Sequence, residues 1–272
     1  MAWPVLVFDI ETIPDLAGLR ATGLAQGDTD AHAFAAWQAQ RAEQGKSDFA
    51  PLHLQRVLVI SCVYRNAEGL RIHSFVDRET EGQSQEGRII QTFFNTVEKH
   101  LPQLVSWNGG GFDLPVLHYR GLKHGVVASK YWDLGEGGDH DSREFKWNNY
   151  ISRYHMRHLD LMDLLAMYQP KNNAPLDAMA KLCGFPGKLG MDGSAVHGAY
   201  LDGRLEDIRR YCETDVMNTY LMYCRFQKMR GGLLEGEYEQ EIQGVKTALG
   251  ALAEAEPHWQ EYLAAWATSP VG

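Results

Sequence analysis

The sequence predicts an α/β fold in which a three-strand antiparallel meander opens the sheet and a helix and a further strand follow, in the order β-β-β-α-β. Three observations carry this expectation. Residues 4–10 (Pro-Val-Leu-Val-Phe-Asp-Ile) are an apolar run of the kind found in strands covered on both faces. Residues 57–65 and 70–76 are rich in β-branched and aromatic side chains, and Asn66-Ala67-Glu68-Gly69 between them marks a hairpin. Within residues 89–100, Ile90, Phe93, Phe94 and Val97 recur at helical spacing, and Leu104-Val105-Ser106 after them reads as the next strand.

The first strand carries Asp9, with Glu11 two residues on and therefore on the same side of the sheet. Two ionised carboxylates at the end of a buried strand cost several kcal/mol unless they are ligated, paired or opened to water. A divalent cation meets that need. Residues 15–51 then break the β pattern and are rich in Ala and Gln, which reads as a helical insertion. In it Asp28 or Thr29 is placed to cap a helix running to about Gln44, with Phe34 and Trp37 on one face and Gly45 at its stop.

After the fourth strand comes Trp107-Asn108-Gly109-Gly110-Gly111-Phe112-Asp113-Leu114-Pro115. Three glycines let the backbone turn sharply and approach a ligand closely. Asp113 stands ahead of a helix over residues 114–123 with Gly125 beyond it, as N-cap, as metal ligand or, having two oxygens, as both. Residues 132–149 are polar and glycine-bearing and read as a mobile loop, and His158-Leu159-Asp160-Leu161-Met162-Asp163 reads as the opening of a helix capped by Asp160. A short helix spans residues 176–182. The Gly184-Phe185-Pro186-Gly187-Lys188 that follows lacks the spaced glycines and the trailing Ser or Thr of a nucleoside-triphosphate loop, so Lys188 is either a turn residue or a contact to a substrate phosphate.

The longest helix covers residues 204–230, entered after Asp202-Gly203 and stopped by Gly231-Gly232. Leu205, Ile208, Cys212, Val216, Thr219 and Tyr223 form its buried stripe, and Tyr211 and Asp215, four apart, lie together along the edge. Taken alone, Asp215 reads as a partly exposed acid paired with Arg209 or Arg210. A C-terminal extension at about 233–267 supplies one or two further helices, and residues 269–272 read as a frayed tail.

A length of 272 residues, 44% hydrophobic and 22% charged, suits a single globular domain with those two elaborations. The formal net charge of −9 argues against a broad polyanion-binding surface, while leaving room for a local site where cations supply the positive charge. Cys62, Cys183, Cys212 and Cys224 stand apart without a CxxC pair, so neither a zinc site nor a disulfide framework is expected. Asp9 and Glu11 come too early for a signal peptide, and no apolar stretch approaches the roughly 20 residues of a membrane span, so a soluble cytoplasmic protein is expected.

Asp9-x-Glu11 ending the first strand, Asn108-x-x-x-Phe112-Asp113 across the Gly-rich turn and Tyr211-x-x-x-Asp215 in a late helix together resemble the DEDD exonuclease superfamily, and Tyr211 places the chain on its Tyr-containing branch. More closely, the chain is similar over nearly its full length to predicted 3'-5' exonucleases related to the proofreading domain of family B DNA polymerases. Val5-Leu-Val-Phe-Asp-Ile-Glu-Thr-Ile-Pro14, Leu54-Gln-Arg-Val-Leu-Val-Ile-Ser61, His158-Leu-Asp-Leu-Met162 and Gly184-Phe-Pro-Gly-Lys188 carry that likeness.

The resemblance implies a ribonuclease H-like fold, with a central mixed sheet whose meander is followed by parallel strands and flanked by helices. It implies Asp9, Glu11, Asp113 and Asp215 as metal-binding carboxylates and Tyr211 as the residue beside the attacking water. Asn108, Phe112 and Lys188 are the expected substrate contacts, Trp107 and Trp147 are further stacking candidates, and Asp160 stays structural. Two divalent cations, Mg²⁺ or Mn²⁺, are implied, because hard cations take oxygen ligands and two of them stabilise both the attacking and the leaving oxygen of a phosphodiester. The expected partner is single-stranded nucleic acid shortened from its 3' end, DNA ahead of RNA, with no membrane partner and no polymerase domain in these 272 residues. An RNA-trimming enzyme and an inactive nucleic-acid-binding relative are the alternatives.

Overall fold

Strand β1 (Val5–Pro14) is the middle strand of a five-stranded sheet in a computed structural model that describes residues 4–47, 49–136 and 140–269. The other strands are β2 (Gln55–Asn66), β3 (Gly69–Val76), β4 (Gln103–Ser106) and β5 (His158–Asp160), in the spatial order β3-β2-β1-β4-β5. The first three pair antiparallel, and β4 and β5 run parallel to β1. This is the mixed sheet of a ribonuclease H-like fold. Residues 137–139 of the expected mobile loop and 270–272 of the expected tail lie outside the described residues.

The helices are α1 (Leu16–Ala21), α2 (Asp30–Glu43), α3 (Glu86–His100), α4 (Asp113–His124), α5 (Leu161–Leu165), α6 (Leu176–Leu182), α7 (Val196–Leu201), α8 (Leu205–Met229), α9 (Glu235–Leu252) and α10 (His258–Thr268). Alternation along β1 explains why both its faces are apolar. Val5 and Val7 pack with Val216, Met217 and Tyr220 of α8, whereas Leu6, Phe8 and Ile10 pack with Ile90, Phe93 and Val97 of α3 and Val116 and Leu117 of α4. Each such buried side chain contributes roughly 1.5–3 kcal/mol. Asp9 and Glu11 share the parity of Val5 and Val7, so they emerge on the α8 face.

Residues 158–160 depart from the sequence expectation: they form a strand, paired with β4 through Leu104–His158, Val105–Leu159 and Ser106–Asp160. Three residues are too few to show a period of two, and the pairing comes from β4, far away in sequence. The helix starts only at Leu161, capped as expected by Asp160, whose side chain accepts from the Asp163 amide at 3.2 Å.

The insertion carries α2, capped by Thr29 rather than by Asp28, the other candidate, and a shorter α1 capped by Asp15, which no sequence signal had marked. Leu19, Ala33, Trp37 and Leu54 close a small core there. The extension forms two helices, whose Val245, Leu249, Trp259 and Tyr262 pack with α8. All four cysteines are free. Among the described residues no helix is long and apolar enough to cross a membrane.

Candidate active site

Pairing between β1 and β4 stops at Val7–Val105, while β1 runs on. Beyond that point the β4 side of β1 has open backbone groups that need partners. The chain leaves β4 through the Gly-rich turn, where Asn108 takes a positive φ of 70°. A Cβ on Gly109 would stand 2.3 Å from Ser106 Oγ, so only glycine fits there. Asp160 holds the turn by accepting from the amides of Asn108 at 2.9 Å and Gly110 at 2.8 Å. The turn delivers Asp113 to β1, where its Oδ1 accepts from the Ile10 amide at 3.1 Å, between Asp9 and Glu11. Asp113 is therefore not an N-cap: it is the first residue of α4, the N-cap position is Phe112, and no side chain caps the helix there. The open edge of β1 has claimed the carboxylate instead.

Helix α8 covers the other side of the pair. Cys212 Sγ lies 3.5 Å from the Asp9 carbonyl oxygen and 3.6 Å from Asp9 Oδ2, and ligand atoms of Asp9, Glu11 and Cys212 all fall within 4.8 Å of one another. Asp215 is 5% exposed. Its Oδ1 is buried without a hydrogen-bond partner, and its Oδ2 lies 3.5 Å from Lys188 Nζ. Pairing of Asp215 with Arg209 or Arg210 does not occur: Arg209 binds Glu206, Glu213 and Glu256, and Arg210 lies nearest Asp207. From Tyr211 to Cys224 α8 is buried around its circumference, so what the helical period marks as an edge is closed off by β1 and the Lys188 loop.

That loop is tightly placed. Gly187 has φ 71°, and a Cβ on it would meet Asp177 Oδ1 at 2.5 Å. Asn218 of α8 accepts from the Gly187 amide at 3.2 Å and donates to the Gly187 carbonyl at 2.8 Å, while Asp177 accepts from the Lys188 amide at 2.7 Å. Lys188 Nζ thereby donates to Tyr211 Oη at 2.5 Å. Lys188 belongs to the same cluster as the acids, beside Tyr211 and Asp215.

Burial, then the charges of Asp113 and Asp215, holds the Asp9 carboxyl well above the usual range, and burial, then Asp9 and Asp215, does the same to Glu11. Burial chiefly pushes Asp113 up to about 7. Asp215 is also raised by burial, with Lys188 pulling the other way. The Tyr211 phenol is pushed up by burial and by Asp215, and the Cys212 thiol by burial and by Asp9, so both keep their protons at neutral pH. The four acids cluster with Lys188 beside Asp215, and Asp215 Oδ1 is buried without a hydrogen-bond partner. An all-oxygen set with surplus negative charge fits hard divalent cations, whereas a protonated thiol does not ligate.

Phe112 is half-buried, its ring 5.8 Å from that of Phe49, and Asn108 lines the cavity beside the turn. Trp107 is committed elsewhere: its indole donates to the Ala174 carbonyl at 3.0 Å and it packs on the main core. Trp147 is 77% exposed. Cys212 and Asn218 were missed because both look like ordinary core positions of a long helix. The one available signal for Cys212 was its place beside Tyr211.

A family described as predicted 3'-5' exonuclease related to the exonuclease domain of PolB matches residues 47–266. No curated protein matches the chain. The match takes in Asn108, Phe112, Asp113, Lys188, Tyr211 and Asp215 and begins after β1, so the place of Asp9 and Glu11 rests on the geometry above.

Proposed function

The chain belongs to the family of predicted 3'-5' exonucleases related to the exonuclease domain of PolB, and from that premise we propose that it removes nucleotides from the 3' end of single-stranded DNA by metal-dependent hydrolysis. One observation carries the reading: the carboxylates of β1, α4 and α8 converge, and Asp215 Oδ1 among them is buried without a partner. Asp9, Glu11, Asp113 and Asp215 would hold two divalent cations, Mg²⁺ or Mn²⁺. When bound, these would supply Lewis-acid stabilisation of the charge that develops on the phosphoryl and leaving oxygens.

The remaining roles belong to the chain itself. Tyr211, neutral and hydrogen-bonded to Lys188, orients the attacking water rather than taking its proton, since a phenol raised above its usual value of about 10 is a poor base at neutral pH. Lys188 offsets the repulsion of the acids and offers an ammonium to a substrate phosphate. Phe112, beside Phe49, offers a face for the terminal base, and Asn108 a hydrogen bond.

The test is incubation with 5'-labelled single-stranded DNA and RNA of matched sequence, with Mg²⁺ or Mn²⁺, beside Asp215→Ala. A ladder of shortened, still-labelled DNA that disappears with EDTA and in the variant is the expected outcome. A ladder from RNA alone would reassign the substrate, and cleavage of neither would leave only a binding role.

A further inference from the structure

Beyond the carboxyl ends of β4 and β5 lies a cavity of about 480 Å³, within the range of roughly 300–1,000 Å³ typical of small-ligand pockets. One wall is Asn108, Gly110 and Gly111, the same turn that carries Asp113 to the carboxylate site. Tyr131 and Tyr150, both buried, also line it, and Arg153, Tyr154, His155 and Tyr168 lie on the side opposite the turn in sequence. The cavity and the acids are thus joined by one short segment of chain, from Asn108 to Asp113.

Its charged groups are already engaged. Asp160 accepts from the amides of Asn108, Gly110 and Asp163, and Asp163 is held by Arg153 through contacts of 2.6 and 2.7 Å. That leaves no spare carboxylate for a cation and commits the guanidinium that would attract a phosphate. What remains is aromatic. Tyr154 and Tyr168 stand edge to face with centroids 5.0 Å apart, and the Arg153 guanidinium lies 5.2 Å from the Tyr168 ring centre. Tyr154 is 69% exposed. Met167 and Tyr168 take consecutive positive φ values of 53° and 60°, a costly conformation for residues with a Cβ, pinned by the Met167 amide to Leu164 and the Tyr168 amide to Asp163. Such strain is concentrated at ligand clamps. His155 accepts from the Asn149 amide through Nδ1, which directs Nε2 away from that bond as a hydrogen-bonding edge.

We propose that this cavity is a base-binding subsite that takes one nucleobase of the single-stranded substrate, upstream of the nucleotide being removed; the proposal rests on the exonuclease function above. The ring stacks on the exposed Tyr154, which Tyr168 supports edge to face, and His155 meets its polar edge. A base held here is unpaired, so the subsite also selects single strands.

The experiment measures binding of fluorescent single-stranded DNA in Ca²⁺ by anisotropy, with the base deleted at one position at a time, for the parent chain, Tyr154→Ala, Tyr168→Ala and Tyr154→Phe, after checking that each melts like the parent. The parent loses roughly tenfold in affinity when the missing base falls at one upstream position. Tyr154→Ala and Tyr168→Ala lose a similar factor on intact DNA and nothing further at that position, while Tyr154→Phe binds as the parent does. Unchanged affinity in both alanine variants, or losses that simply add at every position, overturns the subsite alone if the parent still binds and cleaves single strands. A parent that neither binds nor cleaves them overturns the exonuclease function, and the subsite with it.

Discussion

At the scale of single residues, the site is a balance between repulsion and use. Asp9 sits beside Glu11, Asp113 and Asp215, and its carboxyl is held well above the usual range by burial and then by Asp113 and Asp215, with Cys212 and Lys188 pulling the other way. Without metal that cluster is a liability. Asp9→Asn should raise the free energy of unfolding measured in EDTA by about 1 kcal/mol, while abolishing hydrolysis. Asp215→Ala should abolish it as well, whereas Tyr211→Phe should keep measurable turnover, because on the proposed roles the loss of an orienting group leaves the charge that would hold the cations. Equal loss in all three variants, read by release of labelled nucleotide, would contradict this division. The Asp9–Glu11 pair was legible in the sequence because a strand repeats every two residues. The burial of Asp215 was not, because its enclosure depends on Lys188, which arrives on a separate loop.

At the scale of elements, the unanticipated feature is Arg120 of α4. It is almost fully buried, donating to both oxygens of Glu86 of α3 at 2.7 and 2.6 Å and to Asp15, the cap of α1, at 2.6 Å. Glu86 also accepts from the Val57 amide of β2 at 2.8 Å, opposite the irregularity between Glu11 and Thr12 in β1. One guanidinium thereby ties the insertion, two helices and the strand behind the acids. Arg120→Ala leaves buried Glu86 with only the Val57 amide and the His124 ring, and Asp15 with Lys123, and should cost about 3–5 kcal/mol, read from urea midpoints.

Burial alone would raise the Glu86 carboxyl, but the Arg120 pair and the Val57 amide hold it below the usual range. A carboxyl lowered on folding adds stability that is present above its unfolded value, about 4.3, and is lost as the pH falls through the folded value. The stability gap between the parent and Glu86→Gln should therefore be full at neutral pH and narrow only in acid below about pH 4. A gap independent of pH would show that Glu86 is not acting as a charge. None of this was visible in the sequence, where a lone Arg on a helix is by default solvated.

At the scale of the whole molecule, we propose that the insertion and the C-terminal helices fold with the sheet as one domain. Tyr262 of α10 donates to Asn218 of α8 at 2.8 Å, and Asn218 in turn holds the Lys188 loop, so the extension reaches the site through a buried chain of hydrogen bonds. Thermal unfolding followed by circular dichroism and by tryptophan fluorescence should give one coincident transition. Mg²⁺ or Mn²⁺ should raise its midpoint, by an amount equivalent to about 2.7 kcal/mol at a hundredfold excess over Kd, and EDTA should reverse the shift. Two transitions, with the later one alone sensitive to metal, would divide the chain.

The sequence by itself determined the meander, the long α8, the cap at Asp160 and the segments that carry Asp9, Glu11, Asp113, Tyr211 and Asp215. These follow from periodicity and local backbone chemistry, which act over a few residues. Only the tertiary structure decided that residues 158–160 are a strand, that Asp113 serves the edge of β1 rather than its own helix, and that Lys188 stands beside Tyr211. Each of those outcomes depends on a partner far away in the chain. A backbone group left open by one element is satisfied by whichever side chain the fold brings to it, and no local pattern records that choice.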